Sequence, residues 1–204
     1  MTETTLEHSH RDDVGSRMGL WLFLFSELIL FGGMFIIYAV YRFKHPAEFR
    51  LASEELDPFI GTVNTIILLT SSLTVAMSIT AIQEGRKNLS MSLVGMTIIF
   101  AIVFLVNKYF EWSHKISLGI YPQSPDLINK PPGEILYFGL YYVMTGLHAL
   151  HVIIGIMILA VMMTFIKNGK INKHSFVRLE AGGLYWHLVD IIWIFLFPLF
   201  YLIQ

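Results

Sequence analysis

From Ile135 to Ile166 the chain runs for 32 residues with no acidic or basic side chain other than histidine. A helix that is apolar all round over such a length has no stable place in water, whereas a bilayer span needs only about 20 residues at ~1.5 Å rise. Four further runs share this character. Met18 to Tyr41 is broken only by Glu27, Phe59 to Ile82 is uncharged but rich in serine and threonine, Met91 to about Trp112 carries Lys108 and Glu111 near its end, and Ala181 to Ile203 holds His187 and Asp190. The pattern predicts an all-α, multi-pass membrane protein. Five transmembrane helices at about 18–42, 59–83, 91–113, 135–166 and 181–203 form one bundle over residues 18–204, after a polar tail at 1–17. The fourth run exceeds one bilayer thickness and must tilt or project.

Composition agrees. Hydrophobic residues make up 55% of the chain and charged ones 14%, against about 25% charged in an average soluble domain. A net charge of −1 argues against nucleic acid as a partner. With no cysteine there is no disulfide, thiolate metal site or thioether-linked haem. Residues 1–17 lack the basic start and small-residue cleavage pattern of a signal peptide.

The joins carry stop signals. Pro46 and Pro58 bracket an acidic stretch, Gln83 to Asn88 forms a tight hairpin, and Pro122, Pro125, Pro131 and Pro132 stiffen the longest loop. Five spans put the termini on opposite sides. Arg11, Arg17, Arg86, Lys87, Lys167, Lys170, Lys173 and Arg178 fall on one side; Arg42, Lys44, Arg50, Lys108, Lys115 and Lys130 fall on the other. The denser short loops lie on the first side, so the positive-inside rule gives N-in, C-out.

Polar groups inside the apolar runs are the candidate functional residues, since ionisable side chains at membrane depth are costly and face a bundle interior or a polar path. His148 and His151 are three apart, as are His187 and Asp190, so each pair shares a helix face and the two faces read as one contact between helices four and five. A lone Glu27 in helix one either stays protonated or finds a donor such as a histidine. It serves as a structural hydrogen bond, a proton antenna, or a lipid or quinone contact. His148 and His187 facing one another across helices is also the arrangement a b-type haem needs. Asn64, Thr65, Ser72 and Thr74 read as interhelical hydrogen-bonding groups, and Gly32, Gly33, Gly95 and Gly155 as sites of close helix packing. Glu111, Trp112, Glu180 and Trp186 read as interfacial groups, with both carboxylates cheap to hydrate.

These residues together resemble one family. Phe25-Ser-Glu27-Leu-Ile-Leu-Phe31, Asn64-Thr through Ser72-Leu-Thr74, Glu84-Gly-Arg-Lys87, Tyr109-Phe-Glu111-Trp112, Thr145-Gly-Leu-His148 with His151-Val152, and Glu180 through Trp193 resemble subunit III of the haem-copper terminal oxidases, cytochrome c and quinol oxidases alike. The chain looks like the five-helix bacterial form, without the first two helices of longer members. The resemblance implies a non-catalytic subunit that binds neither haem nor copper, both being held by partner subunits. It implies packing on subunit I, with subunit II and other oxidase subunits nearby, retention of phospholipid, and support of proton uptake and complex stability. It also implies a bacterial plasma membrane location, a carbodiimide-reactive role for Glu27, and a polar core of His148, His151, His187 and Asp190. An autonomous proton-coupled carrier and a b-haem electron-transfer protein stand as the alternatives.

Overall fold

A computed structural model describes residues 3–203, and the side chains of residues 15 and 18–203. Among the described residues seven helices follow one another: α1 (Glu3–Lys44), α2 (Pro46–Ser53), α3 (Pro58–Gln83), α4 (Lys87–Ser117), α5 (Pro125–Ile128), α6 (Pro132–Lys167) and α7 (Val177–Tyr201). Five of them (α1, α3, α4, α6 and α7) are long and apolar enough to cross a membrane. The helix of the first span starts at Glu3, so it includes most of the stretch read from sequence as a polar tail. The short α2 and α5 lie in joins where hydropathy gives no signal.

Four long helices close a ring. α3 packs on α4 and α7, and α6 packs on the same two. The ring's core is aromatic: Phe104, Tyr141, Trp186, Trp193 and Phe200 are all fully buried. α1 lies outside it, against α6 and α7. Its inward residues are Leu20, Leu24, Glu27, Phe31, Met34, Tyr38 and Tyr41, spaced alternately by four and three, the repeat of a helix–helix seam. Glu27 is the one acidic or basic residue in that stripe. The opposite face of α1 is exposed, with Trp21, Leu22, Phe25, Ile29, Ile36 and Phe43 all open.

Helix ends are closed from within the chain. Between α3 and α4 the Arg86 N–H reaches the Ala81 carbonyl at 2.8 Å and the Gly85 N–H reaches Ile82 at 3.0 Å. This is the double bond of a left-handed C-cap, and Gly85 takes the required positive φ of 79°. The last carbonyls of α7 accept tyrosine hydroxyls: Tyr38 from α1 donates to Leu199, and Tyr137 from α6 donates to Phe200 at 2.7 Å. Such carbonyls would otherwise stand unpaired at the edge of the hydrocarbon. At the start of α6 the Gly133 N–H donates to the Glu48 carboxylate, and His45 Nδ1 lies 3.1 Å from the other Glu48 oxygen. The His45 hydrogen bond, then the Gly133 amide, hold the Glu48 carboxyl below its ordinary value of 4.5.

The glycines divide. A Cβ on Gly155 would stand 2.7 Å from the Trp186 ring, so α6 and α7 approach closely there as the sequence suggested. A Cβ on Gly32, Gly33 or Gly95 would meet nothing within 4 Å, so no described part of this chain packs on them, and their reading as packing sites within the bundle is corrected.

Candidate functional site

The heptad stripe of α1 presents Glu27 to α6, where His151 Nε2 lies 2.8 Å from Glu27 Oε2. The other ring nitrogen, Nδ1, lies 2.7 Å from the Leu147 carbonyl one turn back. A carbonyl can only accept, so Nδ1 carries a hydrogen. Nε2 then has two choices: it accepts from a protonated Glu27, or it is itself protonated and donates to a carboxylate. Either way the pair holds one proton between carboxylate and imidazole, with zero net charge. Phe31 closes the side of the pair, its ring edge-on to His151 at 5.4 Å, and the Tyr185 hydroxyl donates to the His151 carbonyl at 3.2 Å. Two titratable groups, mostly shielded by apolar neighbours, thus meet through a hydrogen bond between two of the membrane-spanning segments.

The expected union of the histidine and aspartate faces does not occur as the sequence suggested. His148 and His151, three residues apart on α6, diverge: His151 goes to α1, while His148 points into the ring. There it is fully buried, edge-on to Phe104 at 5.6 Å and tilted against Trp193 at 5.2 Å, and neither of its nitrogens has a hydrogen-bond partner. His148 therefore meets α7 through an aromatic ring and not through His187 or Asp190. The angle between positions three apart on a helix, about 60° off alignment, is enough to send them to different neighbours once three helices surround α6. His187 Nδ1 lies 2.6 Å from Ser72 Oγ on α3. Asp190, 3% exposed, makes no hydrogen bond with either oxygen, and Ser72 is the polar side chain it faces. His148 and His187, the pair a bridging haem would need, point at different helices.

The α3 polar residues bind its neighbours in register. Trp193 Nε1 donates to Thr65 Oγ1 and Trp186 Nε1 to Ser71 Oγ, each at 3.0 Å, joining α7 to α3. Asn107 donates to Asn64 at 2.8 Å and Thr74 pairs with Thr97 at 2.8 Å, joining α4 to α3. Trp186 is fully buried, so its reading as an interfacial residue is corrected: the indole N–H finds Ser71 in the core and does not need the headgroup layer. Glu180 stands half-buried in the first turn of α7, and Trp112 half-buried against Tyr142.

Glu111 is the second correction among the site residues. In place of a hydrated interfacial carboxylate, the structure shows a side chain 6% exposed, 3.2 Å from a Lys108 ammonium that is itself 3% exposed. Lys108 Nζ also donates to Tyr141 at 3.0 Å and Tyr201 at 2.9 Å, and both tyrosines donate to Glu111 Oε1. The cluster ties α4, α6 and α7 together. Sequence reasoning placed Lys108 among the loop charges and passed over Tyr141 and Tyr201. The available signal was a lysine and a glutamate three apart at the end of an apolar run, on one helix face.

Comparison with known proteins adds the following. The family model described as cytochrome c oxidase subunit III matches residues 1–204. A protein of Synechocystis sp. named cytochrome c oxidase subunit 3 is 33% identical over 198 residues, 96% of this chain and 79% of the relative. A cytochrome bo(3) ubiquinol oxidase subunit 3 of Pseudomonas aeruginosa is 28% identical over 96% of this chain and 90% of the relative. A haem-copper oxidase subunit I+III of Aeropyrum pernix is 32% identical over 193 residues, 92% of this chain but only 22% of that longer protein.

Proposed function

The chain belongs to the cytochrome c oxidase subunit III family, and from that premise we propose that it is the non-catalytic third subunit of a proton-pumping terminal oxidase in a bacterial plasma membrane. Oxygen is reduced to water on subunit I, its main contact; subunit II and other oxidase subunits complete the assembly. Haem and copper belong to those partners, and this chain binds neither. Its own tasks are to support proton uptake, to retain phospholipid and to keep the complex stable. The chain lies N-in, C-out.

One observation carries the proton-linked part of this reading: Glu27 Oε2 and His151 Nε2 lie 2.8 Å apart within two of the membrane-spanning segments. A pair that is neutral in both of its proton arrangements can pass the proton from one partner to the other with no change of net charge around it, as a relay beside a proton path requires. The relative from Aeropyrum, named as subunits I and III in one protein, supports subunit I as the neighbour. The separate directions of His148 and His187 favour packing over haem ligation.

The test is purification in gentle detergent through a tag on this chain. Oxygen-consuming haem-copper oxidase should follow the tag, and the separated chain should hold less than stoichiometric iron and copper. Proton transport by the isolated chain in liposomes would overturn the subunit role in favour of an autonomous carrier. Haem absorption that survives removal of every partner would overturn the cofactor assignment.

A further inference from the structure

Two clusters of titratable groups sit at different levels of the bundle, and each opens toward its own end. The Glu27–His151 pair stands beside Tyr185, whose hydroxyl donates to the His151 carbonyl at 3.2 Å. Tyr185 also lines a cavity of about 540 Å³ with Phe23, Met162, His174 and Arg178. His174 lies in the join before α7 and Arg178 in the first turn of α7, so this cavity faces one end. At the other end Glu111, tied to Lys108, Tyr141 and Tyr201, lines a cavity of about 530 Å³ with Glu55 and Asp57 of the join between α2 and α3. Along α6 the distance from Tyr141 to His151 is about 15 Å, roughly half the hydrocarbon thickness of a bilayer.

Between the two levels three rings close the inside of the helix ring. Phe104 from α4 stands edge-on to Trp193 from α7 at 4.8 Å and to His148 from α6 at 5.6 Å, and His148 lies against Trp193 at 5.2 Å. All three are fully buried, and Trp193 Nε1 donates to Thr65 of α3, so all four helices hold the layer. His148 is its one titratable member. Proton transfer runs along hydrogen bonds of about 2.6–3.2 Å between heavy atoms, and neither nitrogen of His148 has a hydrogen-bond partner. Lys108 Nζ lies 5.5 Å from the same Trp193 ring, so a proton arriving on His148 would place a second buried positive charge beside one indole, unpaired and costly.

We propose that Phe104, His148 and Trp193 form a proton-tight septum, an aromatic layer that keeps the two titratable clusters from joining into a proton path through this chain. In a membrane that holds a proton gradient, an unbroken chain of such groups from end to end would dissipate it. The septum belongs to this chain alone, so its test stands whichever partners accompany it.

The experiment reconstitutes the complex purified through this chain into vesicles and supplies no electron donor. A potassium diffusion potential is imposed with valinomycin, and a trapped pH dye reads passive proton entry. Wild type and Glu27→Gln should leak at the same low rate, because the septum already closes the route. Phe104→Ser removes a ring and adds a hydroxyl. A buried water needs about 2–4 polar partners, and that hydroxyl with the two free His148 nitrogens supplies them, so the leak should rise severalfold. Adding Glu27→Gln to Phe104→Ser should return the leak to the wild-type rate, which a merely loosened bundle would not show. Where Phe104→Ser is lost from the complex, His148→Phe decides, since it keeps an aromatic ring and removes both nitrogens. Its leak, and the protons pumped per electron once a donor is added, should match wild type. A wild-type leak that Glu27→Gln lowers would overturn the septum. So would a recovered Phe104→Ser complex as tight as wild type, a Phe104→Ser leak indifferent to Glu27→Gln, or a fall in pumping in His148→Phe, which would make His148 a relay.

Discussion

Glu27 and His151 show how one proton decides the behaviour of a buried pair. With Nδ1 of His151 committed to the Leu147 carbonyl, Nε2 of a neutral ring needs a donor, and a glutamine amide can supply it. Glu27→Gln is therefore expected to assemble normally while losing the carboxyl proton, and carbodiimide labelling of this chain, if Glu27 is its target as proposed, should fall. Oxygen reduction should persist if that chemistry sits on subunit I as proposed, and protons pumped per electron or turnover lifetime should fall. Complete loss of oxygen reduction in a correctly assembled Glu27→Gln complex would contradict the supporting role. Lys108→Met makes a different change: Glu111 keeps its tyrosines but loses its buried cation. Removing one member of a buried ion pair costs about 3–5 kcal/mol, so thermal melting of the complex should show this subunit dissociating first. Melting unchanged from wild type would mean that the cluster adds nothing to cohesion.

Among the elements, α2 acts through one carboxylate. Glu48 accepts the Gly133 N–H at the start of α6 and pairs with His45, and both hold its carboxyl below 4.5. Its depressed value fixes the sign: this stabilisation is fully present above the ordinary carboxylate value and is lost as pH falls through the lower folded one. Glu48→Gln should therefore flatten the acid limb of a melting-temperature profile below about pH 4.5 and leave the neutral region nearly unchanged. A mutant and wild type with parallel acid limbs would remove Glu48 from that role. The α6–α7 contact depends on an absent side chain. Gly155→Val places carbon where the Trp186 ring lies, 2.7 Å from the Cβ position, and should cost about 1–3 kcal/mol by overpacking, read as reduced recovery of this subunit in the purified complex.

At the scale of the molecule, a four-helix ring with α1 laid outside leaves one flank of α1 bare, as suits a chain that works within a larger membrane assembly. The absence of native cysteine gives a clean test of its orientation. Lys170→Cys should react with a membrane-impermeant thiol reagent only after the cells are opened, and Asn129→Cys should react in intact cells. The reverse pattern would invert the proposed N-in, C-out arrangement.

Five spans, their order and the family were legible in the linear chain, because hydrocarbon imposes a length and an apolarity that each segment must meet by itself. The Glu27 reading was half legible: a lone carboxylate in an apolar run has to find a donor, but the sequence left the donor open between histidines. Tertiary structure chose His151, because only its side of α6 faces the α1 seam. The same folding turned His148 into an aromatic cage, gave His187 to Ser72 and enclosed Glu111 with Lys108, two tyrosines and three helices. A sequence records which residues share a helix face, and it does not record which neighbour that face meets. In a bilayer every neighbour is apolar on average, so the choice falls to a few hydrogen bonds and close contacts that exist only once the helices have packed.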